Sequence, residues 1–210
     1  MLKYHLYLLP VALLMTLCTP GHAQRTPKDC LILFCDGDDN CGYKSSTGKV
    51  IIPPGKYSYL FTDSFYNTAI VQDPTQGIVA IDRQEHVLYR IFVFDNGPNY
   101  MGTGLYRIYA KGKFGFANMN KVVIPAKFDF VYPFNGDYAV FVSGCTFRSD
   151  PSGEHVEIIG GKYGYIDRDG KVIKRASYES ATSFENGKAT VIYQGKKITL
   201  DNHFNEVAVW

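Results

Sequence analysis

Two stretches of this chain are versions of one another, and that self-similarity limits what it can fold into more than any single motif does. Gly161 to Ile173 reads Gly-Lys-Tyr-Gly-Tyr-Ile-Asp-Arg-Asp-Gly-Lys-Val-Ile, and Gly112 to Ile124 reads Gly-Lys-Phe-Gly-Phe-Ala-Asn-Met-Asn-Lys-Val-Val-Ile. Each is an aromatic-Gly-aromatic segment, a polar turn and a Lys-Val-apolar segment. The match then runs on without a gap: an offset of 50 places Lys121 on Lys171, Phe128 on Tyr178, Phe134 on Phe184 and Ala139 on Ala189. An earlier copy spans Gly48 to Val71, with Tyr57 answering Phe128 and Ala69 answering Ala139. A looser one holds Gly77 to Asp82 and Val87-Leu88, and a partial fifth runs from Gly195 to Trp210. Self-similarity of this kind marks a repeat array, in which each unit leaves an apolar face that only its neighbour covers.

The local chemistry of a unit is that of strands. Phe114 and Phe116 flank Gly115, and Tyr163 and Tyr165 flank Gly164, so period-two alternation puts each pair of rings on one face, the one to be buried. The two glycines leave room for a neighbouring ring or backbone to come close. Asp167 to Gly170 reads as a turn in which Gly170 takes positive φ. Asn118-Met119-Asn120 lacks that Gly, and an Asn is expected to take the same conformation. Ala176 to Glu185 has a helical look, but its alignment with Lys127 to Phe130 makes it strand. The fold class expected is all-β: stacked antiparallel hairpins or meanders forming a solenoid-like or open barrel-like array.

The chain begins with Lys3, an apolar run from Leu6 to Leu17, and Gly21-His22-Ala23. That is the pattern of a secretory signal cleaved before Gln24, and the run is shorter than the roughly 20 residues of a membrane span. A rival reading makes Cys18 a lipidated first residue, but Leu17 stands where a small residue is wanted. The expected organisation is a signal peptide at 1–23, a Cys-containing leader at 24–42 and a repeat domain at 43–210, with no transmembrane helix in the mature chain. Lys and Arg number 22 against 20 Asp and Glu, a balance without the basic stripe that nucleic acid requires.

From Gly161 to Ala189 the sequence resembles the WG repeat of bacterial proteins, named for a Trp-Gly pair. Tyr163-Gly164 and Phe114-Gly115 stand where that pair would be, keeping a ring and losing the indole N–H. The likeness covers about residues 42–210, including Phe94-Asp95-Asn96-Gly97-Pro98 and Gly153-Glu154-His155. It implies an exported β-rich array with an interaction role, and it supplies no catalytic residues.

The residues outside the repeat pattern are the candidates for function. Gly144 to Gly160 interrupts the array, and such insertions become loops on one face. Arg148, Asp150, Glu154 and His155 within it are the expected binding residues, with a protein or an envelope glycan as partner. Cys30, Cys35, Cys41 and Cys145 in an exported chain suggest disulfides: one bridge among the first three and another reaching Cys145. A zinc site from the first three with His155 lacks Cys-x-x-Cys spacing, and unpaired thiols are the third reading. Asp36 to Asn40 is a solvated acidic turn before it is a calcium loop, since it lacks the downstream Glu. His86 and His203 stand in strand-turn contexts as ordinary surface residues. No phosphate loop, nucleophile elbow or metalloprotease helix is present, and no cofactor or metal is implied. The expected function is therefore non-enzymatic binding or scaffolding at the bacterial envelope. The alternative is an envelope hydrolase or carbohydrate-active enzyme using Glu154 and Asp167, which needs two carboxyls about 5 to 10 Å apart.

Overall fold

The computed structural model describes residues 29–94, 97–98, 104–149 and 156–210. The expected signal segment at 1–23 therefore lies outside the described residues, and so do Asp150, Glu154 and His155. Among the described residues the chain is all strand and turn. The first units supply β1 (Leu31–Cys35), β2 (Cys41–Lys44), β3 (Val50–Ile52), β4 (Tyr59–Leu60), β5 (Ser64–Phe65), β6 (Ala69–Asp73), β7 (Gly77–Ile81) and β8 (Val87–Arg90). After the small ribbon of β9 (Val93–Phe94) and β10 (Gly97–Pro98) come β11 (Tyr106–Ala110), β12 (Lys113–Ala117), β13 (Val122–Phe128) and β14 (Phe130–Val131). The rest is β15 (Tyr138–Ser149), β16 (Val156–Asp167), β17 (Val172–Tyr178), β18 (Ser180–Ala181), β19 (Lys188–Tyr193), β20 (Lys196–Asp201) and β21 (Glu206–Val209). The offset of 50 read from the sequence recurs in the structure: β13, β14 and β15 begin 50 residues before β17, β18 and β19.

Among the described residues these strands make five antiparallel sheets beside the ribbon, ordered β3-β2-β1-β5, β8-β7-β6-β4, β13-β12-β11, β17-β16-β15-β14 and β21-β20-β19-β18. In the second, fourth and fifth sheets the outer place is a two-residue strand handed over from the preceding unit. In the first, β5 takes that place on β1, pairing Leu31 with Phe65. The sheets stack in chain order and none closes into a barrel.

Alternation explains the stacking. In β6, Ala69 and Val71 face a cluster shared with Leu31, Tyr43 and Ile52, while Ile70 faces the next one, with Tyr106, Ile108 and Ala117. In β16, Ile166 joins Phe114, Phe116 and Ile124, while Tyr165 joins Val191 and Leu200 of the last sheet. A one-residue slip would exchange the two faces, so the register of every hairpin is tied to both neighbours. Phe114, Phe116 and Tyr165 are buried as expected, whereas Tyr163 is half-buried.

The aromatic-Gly motif marks the crossing of two backbones. Beside Gly115 the third strand bulges, so that Phe114 pairs with Phe128 while Phe116 pairs with Ile124. The bulge holds Pro125, whose missing N–H a regular ladder would not tolerate. Gly164 has the same bulge opposite it, between the Tyr163↔Tyr178 and Tyr165↔Lys174 pairs. The ring after the glycine is anchored from below: the Tyr43 hydroxyl donates to Thr62 O at 2.6 Å and that of Tyr165 to Thr182 O at 2.9 Å.

Turn chemistry recurs as well. Asp82, Asn118, Asp167 and Asp201 each open a hairpin turn by accepting two backbone N–H bonds on Oδ1. Gly170 takes positive φ as expected, at 77°. Glu85 and Phe204 do so at the matching place, and that residue touches the preceding unit: Glu85 accepts from the Tyr57 hydroxyl, and the Phe204 ring lies 5.2 Å from that of Tyr165. The Asn118 turn departs from expectation, since none of its residues has positive φ. Its Asn works through the side chain instead.

The start of the repeat array lies earlier than expected: Leu31 to Cys35 forms β1, and the expected boundary at residue 43 falls inside β2. The first unit needs an opening strand, and the fully buried Leu31 supplies it without an aromatic ring. Ala176 to Glu185 holds strand as expected: it contains the end of β17 and all of β18.

Candidate functional site

The insertion at 144–160 is mostly not a loop. Its described parts continue β15 and β16 into an arm, with one register kept from Tyr138↔Asp167 to Ser149↔Val156. Thr146, Phe147, Ile158 and Ile159 are strand formers, a signal present in the sequence but outweighed in reading by the flanking glycines. The partner strands stop short of this arm. β14 reaches Val142 of β15, and β17 reaches Tyr163 of β16. Beyond those residues both outer edges of the arm carry no paired strand among the described residues.

The faces of the arm differ. Phe147 and Ile158 are directly opposed and lean on the core between the third and fourth sheets. The Phe147 ring is 6.1 Å from Phe114 and 5.9 Å from Phe130, yet Phe147 stays 45% exposed. On the other face Arg148 and Glu157 form a cross-strand ion pair at 2.6 Å, both well exposed. Such a pair contributes at most about 1 kcal/mol, so Arg148 is positioned without being committed. Arg148 is thus placed on the arm, while Asp150, Glu154 and His155 lie outside the described residues.

The base of the arm is set by residues that the sequence reading passed over. Gly144, Gly160 and Gly161 all have positive φ, and the Gly144 N–H donates to Asp129 Oδ2 at 2.6 Å. Lys113 pairs with Asp129 Oδ1. Lys113 and then the Gly144 N–H hold the Asp129 carboxyl below its ordinary range. One carboxylate thereby ties the third sheet to the point where the arm leaves the fourth. No local pattern announces this, because the three residues meet only through the pairing of β13 with β12 and of β14 with β15.

The cysteines divide differently from expectation. Cys35 and Cys41 are bonded across the β1–β2 hairpin, where they are direct register partners. Cys30 and Cys145 are free thiols, so the second bridge to Cys145 is not formed. Cys30 precedes the first sheet and Cys145 sits in the fourth, with the second and third sheets stacked between, whereas a disulfide needs Cα atoms within about 7 Å. Burial, and then Asp129, raise the Cys145 thiol pKa. Thiol titration of denatured, unreduced protein lacking residues 1–23 is expected to give two reactive groups, with Cys145 reacting slowly in the native fold. Four groups would show that the Cys35–Cys41 bond is not made. The acidic run between these cysteines is their hairpin turn: Asp36 Oδ1 accepts the N–H groups of Asp38 and Asn40, both at 3.0 Å.

The WG-containing repeat family model matches residues 42–73, 118–144 and 163–196. The chain carries three WG repeats. No curated protein matches the chain. The first and third matches open at Gly42 and Tyr163, and in the second unit Phe114-Gly115 lies just ahead of the matched residues; Cys41, Phe114 and Tyr163 are the residues that precede Gly42, Gly115 and Gly164.

Proposed function

We propose that this WG-repeat chain is exported and works at the bacterial envelope as a non-catalytic binding module, holding a partner protein through the β15–β16 arm. The observation that carries the reading is the pair of unpaired strand edges beyond Val142 and Tyr163. An extended segment of another chain can add to such an edge by main-chain hydrogen bonds, with Phe147 and Arg148 offering one apolar and one charged contact. The N-terminal segment, with its signal-like apolar run and Gly21-His22-Ala23, supports export. Asp167, half of the carboxylate pair a hydrolase would use, spends Oδ1 on the N–H groups of Asp169 and Lys171, which favours binding over catalysis.

The arm can be removed cleanly. Deleting residues 145–160 joins Gly144 to Gly161 under the Ser143↔Lys162 pair, a two-residue Gly-Gly hairpin. The shortened chain is expected to fold, losing about 1–3 kcal/mol from the packing of Phe147 and Ile158, and to lose capture of its partner from envelope extracts. If the shortened chain captures everything the full chain does, the arm is not the contact element.

A further inference from the structure

In the equivalent hairpins, the ring after the motif glycine pairs as Leu33↔Tyr43, Arg107↔Phe116 and Val140↔Tyr165. Two residues nearer the turn stand Cys35↔Cys41, Tyr109↔Phe114 and Val142↔Tyr163. The disulfide of the first unit therefore occupies the place that rings fill in the others. Phe114 packs against Tyr109 and Phe130, each at 5.0 Å, and against Phe92 at 5.1 Å. Cys41 has no ring to offer, and there the first unit has a cleft of about 420 Å³.

The lining of this cleft has a definite chemistry. Leu33 and Leu60 are its apolar part, and Asp39, Asn40 and Asp63 bring two carboxylates and an amide. Tyr59 stands at the wall, 62% exposed, with its ring propped against Phe61 at 4.7 Å. Asp39 and Asn40 are preorganised. Their turn is clamped at its two ends by the disulfide and inside by Asp36, whose N–H donates to Asn40 O at 2.9 Å.

No lining residue is basic, which argues against phosphate and other anions. Among the described residues no three acidic, Cys or His side chains converge, so the cleft offers no ready-made cage for a metal cation. An exposed ring beside carboxylate and amide groups suits a molecule with one C–H face and paired hydroxyls. We propose that this cleft binds a neutral sugar residue of an oligosaccharide, at a site independent of the arm. Its volume falls within the roughly 300–1,000 Å³ of small-molecule sites.

Calorimetric titration of the disulfide-bonded chain with hexamers of glucose (α- and β-linked), mannose and N-acetylglucosamine tests this. At least one is expected to bind, with Tyr59→Ala weakening it tenfold or more and Asp63→Asn weakening it measurably. Both variants should keep the parent's thermal unfolding, since Tyr59 is mostly exposed. The chain lacking 145–160 should bind the same sugar unchanged. The proposal is overturned if no hexamer binds at about 10 mM, if Tyr59→Ala binds as the parent does, or if deleting the arm abolishes sugar binding. Displacement of the sugar by spermine at low concentration would likewise reassign the cleft to cationic ligands.

Discussion

Gly115→Ala is expected to destabilise the array by roughly 3 kcal/mol or more, the upper range for steric overpacking. A Cβ there would lie 2.3 Å from Ile124 O and 2.7 Å from both Ala126 N and the Pro125 carbonyl carbon. All three are backbone atoms of the bulged third strand, so no side-chain rotation can make room. Moving that strand would pull Ile124 out of a cluster in which it is fully buried. Gly42 and Gly164 meet the same obstacle, with Ile52 O at 2.4 Å and Lys174 O at 2.5 Å. Gly136→Ala is the control. Its φ of 66° disfavours a side chain, but nothing lies within 4 Å of the added Cβ, so the cost is about 1 kcal/mol. Urea unfolding of the two variants measures the difference. A Gly115→Ala midpoint no lower than that of Gly136→Ala would mean that the strands do not cross there as described.

The second large effect is alkaline unfolding. Burial pushes the Tyr89 hydroxyl up to about 12, and burial followed by the neighbouring Tyr163 does the same for Tyr132. Burial also raises Tyr43, Tyr165 and Tyr178, and raises Tyr57 together with the charge of Glu85. In the unfolded chain these groups ionise near pH 10. Their folded values are higher, so their contribution to stability is complete below pH 10 and is lost as pH rises from 10 through 12 and beyond. Arg107 acts in the opposite direction. Its guanidinium lies under Phe92 at 4.7 Å and donates to Val131 O, and burial lowers its pKa to about 10. Its charged form therefore costs stability below pH 10, and that cost fades as the pH climbs toward 12.5. One arginine set against six tyrosines leaves a net loss. Tyrosinate absorbance followed with circular dichroism is expected to show the buried hydroxyls ionising together with loss of sheet signal. Ionisation of all tyrosines near pH 10 with the fold intact would contradict the burial.

Much of this was legible in the residues. The period of the repeat, the strand character of Ala176 to Glu185, and the burial of Phe114, Phe116 and Tyr165 follow from alignment and alternation, which are properties of the chain taken locally. The arm was half legible. Its position as an interruption and its strand formers Thr146, Phe147, Ile158 and Ile159 are in the sequence, but that the ladder runs on in one register past Gly144, Gly160 and Gly161 is not. The disulfide shows the limit most clearly. Spacings of five and six residues permit several bridges, and only the hairpin register that opposes Cys35 to Cys41 selects one.

What the sequence alone determines is the unit: aromatic-Gly-aromatic strand, polar turn, Lys-Val-apolar strand, repeated until neighbouring faces cover one another. What the tertiary structure decides is how successive units differ where they meet. Gly115 is required because a backbone from its own third strand crosses it, and Asp129 matters because the pairing of β14 with β15 brings it to the base of the arm. The cleft in the first unit lies where a cysteine pair stands in the register place that a ring holds in other units. Each of these depends on which backbone and which register partner come to lie opposite a residue, and period and propensity do not carry that information.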